Sequence, residues 1–162
     1  LAVQAALTGH LVFSTLHTND APSAVTRLID MGVENFLLSS TVRGILAQRL
    51  LRNICPGCKE VDKTRANQEE FSALGMTGDI PLYKGKGCEK CAFTGFYGRT
   101  GIFELLVIDD EIRKLILTNA DANQIRLAAR QRGMRTLLED GVKKIKTGVT
   151  TLSEVFRVTQ EA

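Results

Sequence analysis

The sequence contains no tryptophan, only three prolines and only two histidines in 162 residues. It has no apolar run approaching the ~18 residues of a membrane-crossing helix, so no direct membrane span is expected. Its charges nearly cancel, 21 Lys and Arg against 18 Asp and Glu, for a formal net charge of +3. With aromatics at 6%, that balance lacks the basic, aromatic-interleaved surface of a nucleic-acid binder, and nucleic acid is not an expected partner. There is no G-x-S-x-G elbow and no H-E-x-x-H helix. No phosphate loop is present either. The one Gly-Lys, Gly85-Lys86, is followed by Gly87 and has Ile80 where the first glycine of G-x-x-x-x-G-K-[ST] belongs. The first residue is Leu, not Met, and no signal peptide pattern follows, which suggests a piece of a longer protein.

The residues that are present describe a globular chain. Hydrophobic residues make up 44% and charged residues 24%, which rules out disorder as the main reading. The length fits one domain or two small ones with a real core.

Four cysteines carry most of the chemistry. They form Cys55-Pro56-Gly57-Cys58 and Cys88-Glu89-Lys90-Cys91, separated by 29 residues. Two C-x-x-C pairs in one chain make a zinc pattern, because each short pair offers two thiolates to one ion from a tight turn. Pro56-Gly57 supplies the turn in the first pair, and Gly85 and Gly87 loosen the backbone before the second. Four thiolates complete a tetrahedron with no open position, so Zn²⁺ here would be structural. The alternatives are two disulfides, four free thiols or redox pairs. Disulfides need an oxidising compartment, and a redox C-x-x-C normally sits in a thioredoxin-like setting. The intervening residues read as an excursion closed by the metal. Asp62 to Glu70 is polar, Phe71, Leu74 and Met76 form a short amphipathic turn, and Gly75, Gly78 and Pro81 break it.

Along the rest of the chain, Leu1 to Leu7 reads as the tail of a helix stopped by Gly9. Leu11 to Thr15 is a β-rich apolar run consistent with a buried strand of a parallel sheet. Asp20 is an N-cap, with Pro22 in the first turn of a helix that runs to Met31 and ends at Gly32. Phe36 to Leu51 has a helical apolar side, although Ala47 to Ile54 also fits a strand, and periodicity does not decide between them. Arg99 to Val107 reads as a strand. The remainder is helical. Asp109-Asp110 opens a helix through Leu117, and Asp121 with Gln124 forms a capping box for a helix to about Gln131, ended by Gly133. Thr136 to Lys146 follows, and Thr151 with Glu154 is a last capping box.

The two histidines, His10 and His17, flank the apolar run. His17 lies at its C-terminal end, just before a helix N-terminus, where open α/β sheets bind ligands and where phosphate is favoured. Thr15, Thr18 and Asn19 add donors there. Both histidines are equally consistent with hydrogen-bonded structural residues.

Three segments resemble a known family. Thr8 to Ala21, TGHLVFSTLHTNDA, is similar to the histidine box of the secretion ATPases that drive type II secretion and type IV pilus assembly. Leu46 to Lys59, LAQRLLRNICPGCK, resembles the approach to their tetracysteine zinc module. Cys88 to Leu106, CEKCAFTGFYGRTGIFELL, resembles its second cysteine pair and the strand beyond. The four cysteines separate this branch from the retraction ATPases. The resemblance implies an α/β fold: the C-terminal portion of a RecA-like ATPase domain with a zinc-binding insert and an all-helical C-terminal subdomain. The expected divisions are residues 1–54 for the ATPase core with the histidine box, 55–107 for the zinc module and following strand, and 108–162 for the helical subdomain. It further implies a cytoplasmic hexamer that hydrolyses ATP with Mg²⁺ and works at the inner membrane through a platform protein. His10 and His17 become catalytic-site residues, Thr18 and Arg99 candidate nucleotide contacts, and Cys55, Cys58, Cys88 and Cys91 metal ligands. The phosphate loop and acidic Walker B segment would lie upstream, so this piece is expected to be inactive alone. The same motifs serve pilus assembly and protein secretion, and the sequence does not choose between them. The alternative is a zinc-stapled interaction module without catalysis of its own.

Overall fold

The chain begins with helix α1 (Ala2–Leu7), and Gly9 follows in the left-handed region. The next long helix is set by Asp20, whose Oδ1 accepts the Ser23 N–H at 2.8 Å. Pro22 occupies the second helical position, where its missing N–H costs nothing, and helix α2 spans Ala21–Asp30. Helix α3 follows at Asn35–Thr41. Strand β1 spans Gly44–Ile54, β2 Lys59–Asp62 and β3 Leu82–Gly85, and a 3-10 turn follows at Glu89–Cys91. Strand β4 spans Phe96–Val107. Four helices complete the chain: α4 (Asp110–Leu117), α5 (Ala122–Gln131), α6 (Leu137–Lys146) and α7 (Leu152–Gln160). The computed structural model describes residues 1–63 and 80–160. The expected turn at Phe71, Leu74 and Met76 lies outside those residues.

The caps read from the sequence are present. Asp109 Oδ1 accepts the N–H groups of Glu111 and Ile112, each at 3.1 Å. Asp121 and Gln124 form the reciprocal capping box, at 2.9 and 3.0 Å. Thr151 Oγ1 accepts the Glu154 N–H at 3.3 Å, but the Glu154 carboxylate has other partners.

Two expectations fail. Leu11–Thr15 is not a strand, and Leu11 and Phe13 are 79% and 88% exposed. A strand exists only through its ladder, and among the described residues no backbone group pairs with this run. The helical reading of Phe36 to Leu51 also fails after Thr41. Val42 turns extended, the Arg43 carbonyl accepts the Ile108 N–H at 3.0 Å, and β1 begins. Along β1 the more buried positions Ile45, Ala47 and Leu51 alternate with the exposed Leu46, Gln48 and Leu50. The segment satisfies both periods, and pairing with β4 selects the strand.

β1 pairs with β4, and β2 pairs antiparallel with β3 in the register Lys59↔Gly85 to Asp62↔Leu82. The first end of β1 bonds the last end of β4 through Arg43 and Ile108, while Cys55, just past β1, bonds Gly95, just before β4. That arrangement makes the pair antiparallel. The parallel ladder anticipated for the apolar run is absent among the described residues.

The chain forms two compact units with interleaved segments: residues 1–47 with 104–136, and residues 48–103 with 137–162. In the first unit, α2 packs on α5, and α3 packs on α4. Its core centres on Val25, Leu38, Leu106, Ile112, Ile116 and Ile125. In the second unit, α6 packs on α7 around Leu51, Ile102, Ile145 and Val155. Gly141 permits this packing, since a Cβ there would lie 2.6 Å from Val155 Cγ1. Each such Leu, Ile or Val buried contributes about 1.5–3 kcal/mol.

Candidate metal centre and histidine segment

The four cysteines converge because two hairpin-like returns bring them back. β1 delivers Cys55. The Pro56-Gly57 turn brings Cys58 round, with the Cys58 N–H donating to Cys55 O at 3.2 Å. The β2–β3 pairing returns the chain beside the first pair, where the Lys86 N–H donates to Cys58 O at 3.0 Å. The 3-10 turn then presents Cys88 and Cys91. Gly95 joins the two pairs with both its backbone groups. Its C=O accepts the Cys55 N–H at 2.9 Å, and its N–H donates to Cys91 Sγ at 3.3 Å. Only glycine fits there: φ is +78°, and a Cβ would fall 2.5 Å from the Gly85 carbonyl oxygen.

All four Sγ atoms lie within 4.8 Å of one another. Three pairs, Cys55–Cys88, Cys58–Cys91 and Cys88–Cys91, are 3.8 Å apart. A tetrahedral zinc–thiolate site with bonds of ~2.3 Å has ligand–ligand edges of about 3.8 Å. The thiols are therefore unbridged and spaced to hold a metal ion, and the disulfide alternative is not what the structure adopts. Backbone N–H groups complete the cradle, with Gly87 on Cys58 Sγ and Cys88 on Cys91 Sγ, each at 3.2 Å. Burial pushes the Cys58 thiol up to about 12, with the neighbouring thiols adding to the rise. Burial opposes the thiolate at Cys91 as well. There, N–H donation from Cys88 and Gly95 together with the adjoining Cys88 and Cys58 thiols outweighs it and holds Cys91 down to about 6. A cation held among the four sulfurs would share the charge that burial and the neighbouring thiols oppose at Cys58.

The histidine segment lies in the first unit. His10 is exposed, with Nδ1 3.0 Å from Thr8 Oγ1; the Thr8 hydroxyl itself donates to Ala5 O at 2.8 Å. His17 is also exposed. Thr18 Oγ1 donates to Asp20 O at 3.1 Å. Among the described residues no hydrogen bond or ion pair joins His10 to His17. Arg99 is exposed on β4 and belongs to the second unit.

The N-terminus of α2, where an anion was anticipated, is already occupied. Ala21 N–H donates to Glu104 Oε1 at 2.9 Å, Pro22 has no N–H, and Ser23 N–H is held by Asp20. Asp20 also pairs with Arg126. Burial raises its pKa, but the Ser23 bonds and the Arg126 guanidinium outweigh this and keep the carboxyl below its usual range. Two carboxylates thus satisfy the positive helix end.

Glu104 was not singled out from the sequence. The signal was there: in Ile102-Phe103-Glu104-Leu105-Leu106 it shares the inward register with Ile102 and Leu106, all three buried. A charge at an inward strand position requires a partner.

A family profile described as "Type II/IV secretion system protein" matches residues 1–157. The chain belongs to this type II/IV secretion system protein family. Type II secretion system protein E of Pseudomonas aeruginosa is 50% identical over 99% of this chain and 32% of its own length. Type IV pilus assembly ATPase PilB of Thermus thermophilus is 50% identical over 99% of this chain and 18% of its length. This secretion-family chain therefore spans about a third or less of the curated relatives it matches. The crystal structure of the pilus retraction motor PilT with bound ADP superposes with a TM-score of 0.61 and 26% identity, over 97% of this chain and 34% of that one. The ATPase DotB of Legionella pneumophila shares the fold, with a TM-score of 0.58 at 21% identity, over 99% and 34% of the two chains. No helix among the described residues is long and apolar enough to cross a membrane.

Proposed function

We propose that this chain is part of a cytoplasmic, hexameric motor ATPase that powers type IV pilus assembly or type II protein secretion, acting at the inner membrane through a platform protein. The observation that carries the reading is the 50% identity, across nearly the whole chain, to both a secretion protein E and a pilus assembly ATPase. Hydrolysis of ATP with Mg²⁺ belongs to the whole protein, because this sequence has no phosphate loop and the α2 N-terminus is filled by Glu104 and Asp20. His10 and His17 would contribute side chains near the nucleotide, with Thr18 beside them and Arg99 as a further contact. Contacts that differ between the ATP and ADP states would bias the motor's conformation. The test is His17→Ala in the full-length protein. Reduced ATPase turnover or weakened nucleotide affinity supports the reading, and unchanged values of both reject it.

In the same reading, Cys55, Cys58, Cys88 and Cys91 hold a structural Zn²⁺. The support is the thiol spacing of 3.8 Å and the N–H cradle around two of the sulfurs. The ion would neutralise the clustered thiolates and staple the excursion between the two pairs. Metal analysis of the purified protein tests it, and less than about half an equivalent of zinc per chain, against the one ion a closed four-thiolate site takes, rejects it.

A further inference from the structure

Glu104 is 3% exposed, and its Oε1 accepts the N–H of Ala21, the first residue of α2, from 83 positions away in the chain. Ala21 is itself fully buried. The four residues before it are His17, Thr18, Asn19 and Asp20, so this hydrogen bond ends the histidine segment. Asp20 is fixed separately by Ser23 N–H and Arg126. Thr18 in turn bonds the Asp20 carbonyl. The exit of the segment is therefore pinned from β4 and from α5, whereas Leu11–Thr15 has no ladder partner among the described residues. A buried carboxylate aimed at a backbone N–H is a costly way to close a helix, since Asp20 already caps it. What the second carboxylate adds is a tie between α2 and β4.

We propose that Glu104 is a positioning residue for the histidine segment: its carboxylate ties the first turn of α2 to β4 and thereby sets where His17 and Thr18 stand. The proposal rests on the reading of this segment as part of the motor's nucleotide site. A merely stabilising Glu104 would affect the amount of folded protein. A positioning Glu104 changes the chemistry of folded protein, because misplacement of about 1 Å is enough to cost up to a hundredfold in rate.

The experiment uses the full-length protein with three variants, Glu104→Met, Glu104→Gln and His17→Ala, and a core control, Ile112→Val. Glu104→Met removes the acceptor at similar size, and Glu104→Gln retains an acceptor oxygen for Ala21. Two readouts are taken: steady-state ATPase kinetics, and amide exchange of the peptide covering residues 17–25. Glu104→Met is expected to speed exchange there and to lower kcat about tenfold or more with KM for ATP little changed, the pattern of a lost transition-state arrangement. Glu104→Gln is expected to restore both. The proposal is overturned if Glu104→Met leaves exchange at 17–25 unchanged. It is overturned equally if kcat falls no more than in Ile112→Val, or if Glu104→Gln fails to rescue. If exchange quickens while His17→Ala leaves turnover and nucleotide affinity intact, the tie stands but the nucleotide-site reading fails, and the positioning role fails with it.

Discussion

Replacing Glu154 with glutamine should weaken the second unit by an amount that depends on pH in a defined way. Glu154 is 1% exposed and accepts five hydrogen bonds. Arg52 donates its backbone N–H at 3.1 Å, Nε at 3.0 Å and Nη2 at 2.7 Å, and Arg157 donates Nε at 3.2 Å and Nη2 at 2.7 Å. Burial alone would raise the carboxyl pKa, but the Arg157 and Arg52 bonds outweigh it and lower the pKa from 4.5 to about 2. At about 1.4 kcal/mol per pKa unit, that drop corresponds to roughly 3 kcal/mol favouring the ionised folded form. This is an upper bound, since the Arg52 and Arg157 side chains are 49% and 44% exposed and their charges are partly screened. Glu154→Gln keeps the size and one acceptor but loses the charge, so a loss of about 2 kcal/mol at pH 7 is expected. Because the folded pKa is depressed, the stabilisation is complete above pH 4.5 and disappears as pH falls towards about 2. The gap between parent and variant should therefore be constant from neutral pH down to about 4.5 and close by about 2. Urea unfolding followed by far-ultraviolet circular dichroism at a series of pH values measures it. Working with metal-free, reduced protein in both cases removes thiol and metal effects from the difference. Equal unfolding midpoints at pH 7, or a gap that persists unchanged to pH 2, would refute the reasoning.

Other outcomes can be checked as directly. Cys88→Ser should abolish tight metal binding and speed amide exchange between Cys55 and Cys91 while leaving α2 protected; slow exchange across that loop would count against a structural metal. Gly95→Ala places a Cβ against the Gly85 carbonyl at 2.5 Å and at φ +78°. It should weaken cobalt binding, read from the thiolate-to-metal absorption, more than Gly133→Ala, whose Cβ meets nothing within 4 Å and whose φ, +94°, is equally strained. Titrating this 162-residue chain with Mg-ATP in a calorimeter should show no tight binding, and a clear isotherm would contradict the assignment of phosphate binding to the rest of the protein. Asp121→Ala, which removes the side-chain acceptor of the Gln124 N–H and leaves the backbone N–H at that position bonded to Gln124 Oε1, should cost about 1 kcal/mol in the same urea assay.

Much of the local structure was legible in the chain because its causes are local. Asp20, Asp109 and Asp121 cap the helices that follow them, each through N–H groups two or three residues away. The paired C-x-x-C spacing likewise announced a four-thiol cluster, because each tight turn presents two thiols together and the structure brings the two turns to one place. The histidine segment was recognisable by its residues, yet its expected strand was not formed, since a strand's hydrogen bonds come from another segment.

Sequence by itself determined the helix starts, the tail of four helices, the thiol set and the family to which the motifs point. Tertiary structure alone decided that Gly44–Ile54 is a strand, that Gly95 holds both cysteine pairs, that each unit is built from two separate stretches of chain, and that Glu104 and Glu154 lie buried. The physical reason is distance along the chain. Ala47 to Ile54, at the end of the run read as helical to Leu51, also fits a strand, and periodicity does not decide until β4 supplies a ladder. An acidic residue such as Glu104 is a surface charge or a buried clamp according to whether an N–H 83 positions away is brought to it.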